Sequence, residues 1–277
     1  VIIVIAIVKN NKKNYYIAVD MEGLPCVVGT YGAGVTESSP CYQIARREAT
    51  REANAAARAL FESGAETVVV WDNHGTGINL IYDELDERVL IVNGAGSKKR
   101  FPEMDSSFAG VIYIGYHAYD TPYATLAHVY SSTAFQYQKV NGKSVGEMQI
   151  DGAIAGRIGV PVIFASSDDM CIAQAKESFP WITTCEVKKC LAWGSAMSKH
   201  PKAVENEIYE GIKNAVANIS DCELYKFTEP FEYEVRYKRT EYAIGSSLRS
   251  YDNKPFEGVD AYTRRGSLMI PEHIFEF

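Results

Sequence analysis

No stretch of this chain approaches the roughly 20 consecutive apolar residues that span a bilayer. The most apolar one, VIIVIAIV at Val1 to Val8, is far too short. Its β-branched residues suit an added edge strand, with the tail of a processed leader as the alternative. The NNKKN that follows it is a turn or linker. A basic cluster is also missing. With 28 Lys and Arg against 35 Asp and Glu, the net charge is −7, which argues against nucleic acid or an anionic membrane as partner. None of the six cysteines forms a C-x-x-C pair, and they are too sparse for a disulfide scaffold or a zinc ribbon. They read as reduced, small apolar residues of a cytoplasmic protein. Neither Gly32-Ala33-Gly34 nor Gly94-Ala95-Gly96 matches a phosphate-binding fingerprint. No G-x-S-x-G elbow occurs, which disfavours a serine hydrolase of the α/β type. Repeats and low-complexity tracts are absent too.

What is present is a succession of buried strands and amphipathic helices, with 277 residues enough for one large domain or two packed ones. Tyr15 to Val19 is apolar. After a Gly- and Pro-rich loop, Cys41 to Ser63 carries Ala45, Ala49, Ala53, Ala56 and Leu60 at helical spacing, with Ile44 and Phe61 at its ends, and Gly64 closes it. Thr67 to Trp71 is a second buried strand, so the unit is βαβ and the sheet parallel. Further strands are expected at Val89–Val92, Gly110–Ile114, Val160–Ala165, Thr183–Lys188 and Phe231–Tyr237, and helices at Gly146–Ile158, Asp168–Ser178 and Pro201–Ile219. Asn141-Gly142 marks a hairpin. The fold class is therefore α/β, with a mainly parallel Rossmann-like sheet flanked by helices and a second mixed α/β part. The expected division is an apolar extension over 1–14 and a working unit over 15–277, built of two packed α/β subdomains with the site at their junction.

Ligand sites in such sheets lie beyond the carboxyl ends of the strands. Three strand ends here carry chemistry: Asp20-Met21-Glu22, Asp72-Asn73-His74 and Tyr116-His117. On a strand, Asp20 and Glu22 would share a face, where two carboxylates repel unless a cation stands between them. The alternative is a pair of solvated charges at a strand end. Two of only five histidines, His74 and His117, end apolar strands on the same edge. Carboxylates with imidazoles suit zinc, singly or as a pair bridged by a carboxylate. Glu147, opening a helix, reads from spacing alone as a first-turn glutamate favoured by the dipole, and His128 as a packed histidine. His200 and His273 lack partners of this kind and stay outside the site.

The motifs VDMEG (Val19–Gly23), DNHG (Asp72–Gly75), GYHA (Gly115–Ala118), Ala127-His128 and VGE (Val145–Glu147) occur together and in this order. In this the chain resembles the zinc-dependent D-aminopeptidases of the DppA type, peptidase family M55, over roughly Tyr15 to Ile219. The resemblance implies two zinc ions held by Asp20, Glu22, His74, His117 and Glu147, with Asp20 as the bridge. It implies His128 as catalytic nucleophile, with general base or acid as the other role open to an imidazole. It also implies short, D-amino-acid-containing peptides as substrates, and a decamer of two stacked pentameric rings around a channel. A dinuclear phosphoesterase or amidohydrolase, and a non-catalytic peptide-binding protein, are the rival readings. The three strand ends supply no Arg or Lys for a phosphate.

Overall fold

The computed structural model describes residues 12–29, 34–97, 99–119 and 121–275. The expected strand at Val1–Val8 lies outside them. The chain runs β1 (Asn14–Val19), α1 (Tyr42–Glu62), β2 (Thr67–Asp72), β3 (Leu90–Val92), β4 (Phe108–Ile114), β5 (Phe135–Val140), β6 (Lys143–Val145), α2 (Glu147–Ile158) and β7 (Val162–Asp168). It continues through α3 (Asp169–Ser178), β8 (Thr183–Ala192), β9 (Ser195–Ser198), α4 (Pro201–Ala217), β10 (Phe231–Tyr237), α5 (Thr240–Ile244), β11 (Glu257–Gly258) and β12 (Thr263–Leu268).

The first sheet has the strand order β3-β2-β1-β4-β7-β8-β9. All its pairings are parallel except the β8–β9 hairpin. β1 lies between β2 and β4, buried on both faces, as expected of a continuous apolar run in a parallel sheet. α1 buries Ala45, Ala49, Ala53, Ala56 and Leu60 and packs on α4, while Ile44 and Phe61 are only half-buried. Gly64 follows the helix at φ +92°.

The second sheet, β11-β12-β10-β5-β6, is antiparallel. Its β5–β6 hairpin turns on Asn141 and Gly142, both at positive φ, which a type I′ turn requires. One apolar cluster joins the sheets: Tyr16, Trp71 and Tyr113 of the first are continuous with Phe135, Tyr233 and Val235 of the second. At about 1.5–3 kcal/mol for each large apolar side chain buried, this shared cluster fixes the β6–α2 junction against the ends of β1 and β4.

Three expectations from the sequence need correction. β1 ends at Val19, so Asp20 and Glu22 do not alternate along a strand; they lie in the turn after it. The strand expected at Val160–Ala165 starts later and runs on to Asp168, because Pro161 has no N–H to give a ladder. The strand expected at Thr183–Lys188 continues to Ala192 and folds back as β9.

Candidate metal centre

The turn after β1 is shaped by its neighbour. Asp20 N–H still donates to Ile114 O at 2.8 Å, and Gly23 N–H then donates to Gly115 O at 2.7 Å. A Cβ on Gly23 would stand 2.0 Å from Tyr116 O, and one on Gly115, at φ +69°, 2.3 Å from Asp20 O. Only glycine allows these two loops to touch. The contact bends the chain so that both carboxylates reach one pocket.

The remaining donors arrive from separate elements. Asp72, at the end of β2, accepts from Asn79 N at 2.6 Å and Leu80 N at 2.9 Å, so it builds the turn that presents His74 and is itself no donor to the pocket. His117 follows β4. Glu147 is the first residue of α2, after Gly146, whose N–H donates to Gln149 Oε1 at 3.0 Å. His128 comes from the β4–β5 connection, and the β8–β9 hairpin props that loop: Leu126 N–H donates to Trp193 O at 2.9 Å.

Asp20, Glu22, His74, His117, His128 and Glu147 all line one cavity of about 350 Å³. His74 Nε2 is 3.2 Å from Glu22 Oε1. His117 Nε2 is 3.1 Å from Glu147 Oε1 and 3.5 Å from Asp20 Oδ2. Donor atoms of Asp20, Glu22 and His117 fall within 4.8 Å of one another, as do those of His117, His128 and Glu147. The donors thus form two groups that share His117. His200 instead caps α4, accepting from Lys202 N at 3.2 Å, and His273 sits in the C-terminal turn; neither lines the cavity.

The hydrogen bonds fix which ring nitrogens are available. His117 Nδ1 donates to Ala118 O at 3.1 Å and His128 Nδ1 to Leu126 O at 2.8 Å. His128 therefore presents an Nε2 lone pair, whereas His117 Nε2 points at the Glu147 carboxylate and becomes a donor to a metal once it gives up its proton; anchoring of Nδ1 on a carbonyl is common to metal-ligating histidines. Glu22 Oε1 accepts from Val35 N at 3.0 Å and Glu147 Oε1 from Tyr130 N at 2.7 Å. Asp20 Oδ2, Glu22 Oε2 and His74 Nδ1 are buried and make no hydrogen bond among the described residues. Buried carboxylate oxygens left in this state are costly unless a cation meets them.

The electrostatics show the same demand. Burial alone pushes the Glu22 carboxyl up, but His74, His128 and His117 outweigh it and hold the group well below the usual carboxylate range. Burial likewise opposes ionisation of Glu147, and His117 overrides it, bringing that group to about 2. For Asp20, burial and the Glu22 charge together raise the pKa well above normal. Burial disfavours charge on His74 and His117, yet Glu22 and Glu147 respectively raise them to about 10. His128 goes the other way: burial and the neighbouring His117 lower it to about 4. The pocket collects positive charge wherever a donor faces a carboxylate, and keeps one imidazole neutral.

Sequence reasoning missed Arg100, Tyr130 and Ser131, which line the same cavity. Arg100 comes from the loop after β3, and no motif marks it. The Gly194 turn between β8 and β9 is the one local signal that points to the prop under His128.

Buried carboxylates and imidazoles gathered beyond the ends of a parallel sheet are the donor set of a metal-dependent hydrolase. The comparison with known families is more specific. The model of peptidase family M55, D-aminopeptidase, matches residues 14–250, and the chain belongs to that family. It is 28% identical over 206 residues to the D-aminopeptidase of Bacillus subtilis (strain 168), a match covering 73% of each chain. In fold it is similar to the solved Zn-dependent D-aminopeptidase DppA from Bacillus subtilis, described as a self-compartmentalizing protease. That structure superposes with a TM-score of 0.85 at 21% identity, covering 95% of this chain and 94% of the other.

Proposed function

We propose that the chain is a zinc-dependent aminopeptidase that removes an amino-terminal, D-configured residue from short peptides. Two zinc ions would be held by Asp20, Glu22, His74, His117 and Glu147. The observation that carries this reading is the pair of buried carboxylate oxygens without a hydrogen bond among the described residues, Asp20 Oδ2 and Glu22 Oε2, in a cavity shared with His74, His117 and His128. Bound there, zinc would supply Lewis acidity for a carbonyl oxygen and for water. The protein's own part is to position and to move protons. His128, neutral and with Nε2 open, serves as nucleophile or as general base, and in protonated form returns a proton to the leaving amine.

The unit over 15–277 works as one body in this account, with the site where its two sheets meet. A closed decamer of two pentameric rings would confine access to short peptides, in keeping with the self-compartmentalising relative. A cytoplasmic setting agrees with six free cysteines. No described helix is long and apolar enough to cross a membrane.

The test joins elemental analysis of the purified protein to assays on peptides with free and acetylated amino termini. Two zinc ions per chain and cleavage confined to the free amines support the reading. Turnover of phosphoesters with no peptide cleavage would replace it with the phosphoesterase alternative.

A further inference from the structure

Arg100 lines the metal pocket beside the donors. Its guanidinium lies over Trp71, 4.6 Å from the ring centroid, and 5.5 Å from that of Tyr130. Asp151 holds it side-on: Nε donates to Oδ1 at 2.9 Å and Nη2 to Oδ2 at 2.6 Å. Asp151 is wholly buried and also accepts from the Tyr116 hydroxyl at 2.8 Å. A guanidinium carries five N–H donors arranged as forks. The Nε–Nη2 fork is occupied, whereas Nη1 makes no hydrogen bond among the described residues. Arg100 is thus locked in place by one edge and open at the other.

A second free group stands in the same pocket. The Tyr116 hydroxyl donates to Asp151, so it accepts from Asn73 Nδ2, at 2.8 Å. This fixes the amide of Asn73 and leaves its Oδ1 buried with no partner among the described residues. Asn73 lines the pocket as well. The chain Arg100–Asp151–Tyr116–Asn73 therefore presents one open cationic fork and one open amide acceptor. Carboxylate recognition uses the fork, and the acceptor suits a peptide N–H.

We infer that Arg100 is the carboxylate anchor of this pocket, selecting short peptides with a free C-terminus. The inference rests on the peptidase reading above. In that reading the amino end of a peptide lies at the metal donors Asp20, Glu22 and Glu147, and its carboxylate belongs on the cation. A cavity of about 350 Å³ is at the small end of ligand pockets, which matches a di- or tripeptide gripped at both ends.

The test compares D-Ala-D-Ala as free acid and as C-terminal amide. kcat/KM is measured on the zinc-loaded enzyme and Kd by calorimetry on chelator-treated protein, where no turnover occurs. Because removing Arg100 alone strands a buried carboxylate, the variants are Arg100→Lys and the paired R100Q/D151N. The wild-type protein is expected to favour the acid at least tenfold in both measurements, as charge-assisted hydrogen bonds warrant, and both variants to bring the acid-to-amide ratio towards one. A merely structural role for Arg100 would depress both peptides alike and leave the ratio unchanged. Equal handling of acid and amide by the wild-type protein, or a wild-type ratio in the variants, overturns the inference. If neither peptide is cleaved but the acid still binds better, the peptidase reading falls and the anchor stands.

Discussion

The imidazole rings of His117 and His128 stack at 3.9 Å between centroids, 14° from parallel. Two rings this close cannot both be charged without strong repulsion. His117 faces Glu147 and Asp20, whereas His128 has its Nδ1 proton tied to Leu126 O. The stack therefore assigns the charged or ligating role to His117 and a neutral, basic Nε2 to His128. His128→Ala is expected to lower kcat by at least about 10²–10⁴, the range of acid–base contributions, while zinc content stays at the wild-type level. Normal turnover in that variant would remove His128 from the chemistry, and lost zinc would make it a ligand instead.

Asp20 and Glu22 should separate in a metal titration. Asp20 groups with Glu22 and with His117, the residue shared by both donor groups, while Glu22 pairs with His74 on one side. Asp20→Ala is expected to lose both zinc ions, and Glu22→Ala to weaken one more than the other. Elemental analysis after dialysis against a weak chelator reads the difference. Equal losses in the two variants would deny Asp20 the central place.

Lys188 offers a test away from the donors. Its buried ammonium donates to the carbonyls of Glu22 at 2.5 Å, Leu24 at 2.9 Å and Val27 at 2.7 Å, and so clamps the loop that carries a proposed ligand. Lys188→Met leaves three carbonyls without their donor, at roughly 1–3 kcal/mol for each unsatisfied group. Some relaxation is expected, giving a net loss of about 3 kcal/mol in denaturant unfolding and weaker zinc binding. An unchanged zinc affinity would show that the clamp serves stability alone.

Glu52 gives a pH-dependent stability. It is buried in α1, with Ser166 Oγ donating to Oε2 at 3.0 Å and Oε1 without a partner. Burial raises its carboxyl from 4.5 to about 8. Between those values the folded chain holds a proton that the unfolded chain has released. Stability from this group is therefore complete below about pH 4.5 and is lost as pH rises through about 8. Glu52→Gln is expected to stabilise the protein by about 1–3 kcal/mol at pH 8.5 and to make little difference at pH 4. Denaturant melts at both values check it, and a gain of equal size at both would contradict the assigned titration.

Much of the frame was legible because parallel strands announce themselves. YYIAV, TVVVW and GVIYI are continuous apolar runs, and Asn141-Gly142 is a turn that few other dipeptides make. His74 and His117 were legible as strand-end imidazoles. Asp20 and Glu22 were found for an incomplete reason: they converge through the Gly23–Gly115 contact, a tertiary feature, and not through strand alternation. Glu147 and His128 stood out only through the family resemblance, since a first-turn glutamate and a histidine among apolar residues are ordinary by spacing. Arg100 was invisible, because its partner Asp151 lies on a distant helix. The β8–β9 hairpin was hidden by its exposed, mixed sequence, in which only Gly194 signals a turn.

Paired assays on D-Ala-D-Ala and L-Ala-L-Ala, before chelation, after it and after zinc is restored, test the central claim most directly. Release of D-alanine is expected to stop on chelation and to return with zinc, with the L-peptide cleaved far more slowly. Cleavage that survives complete removal of metal, or that prefers the L-peptide, would contradict it.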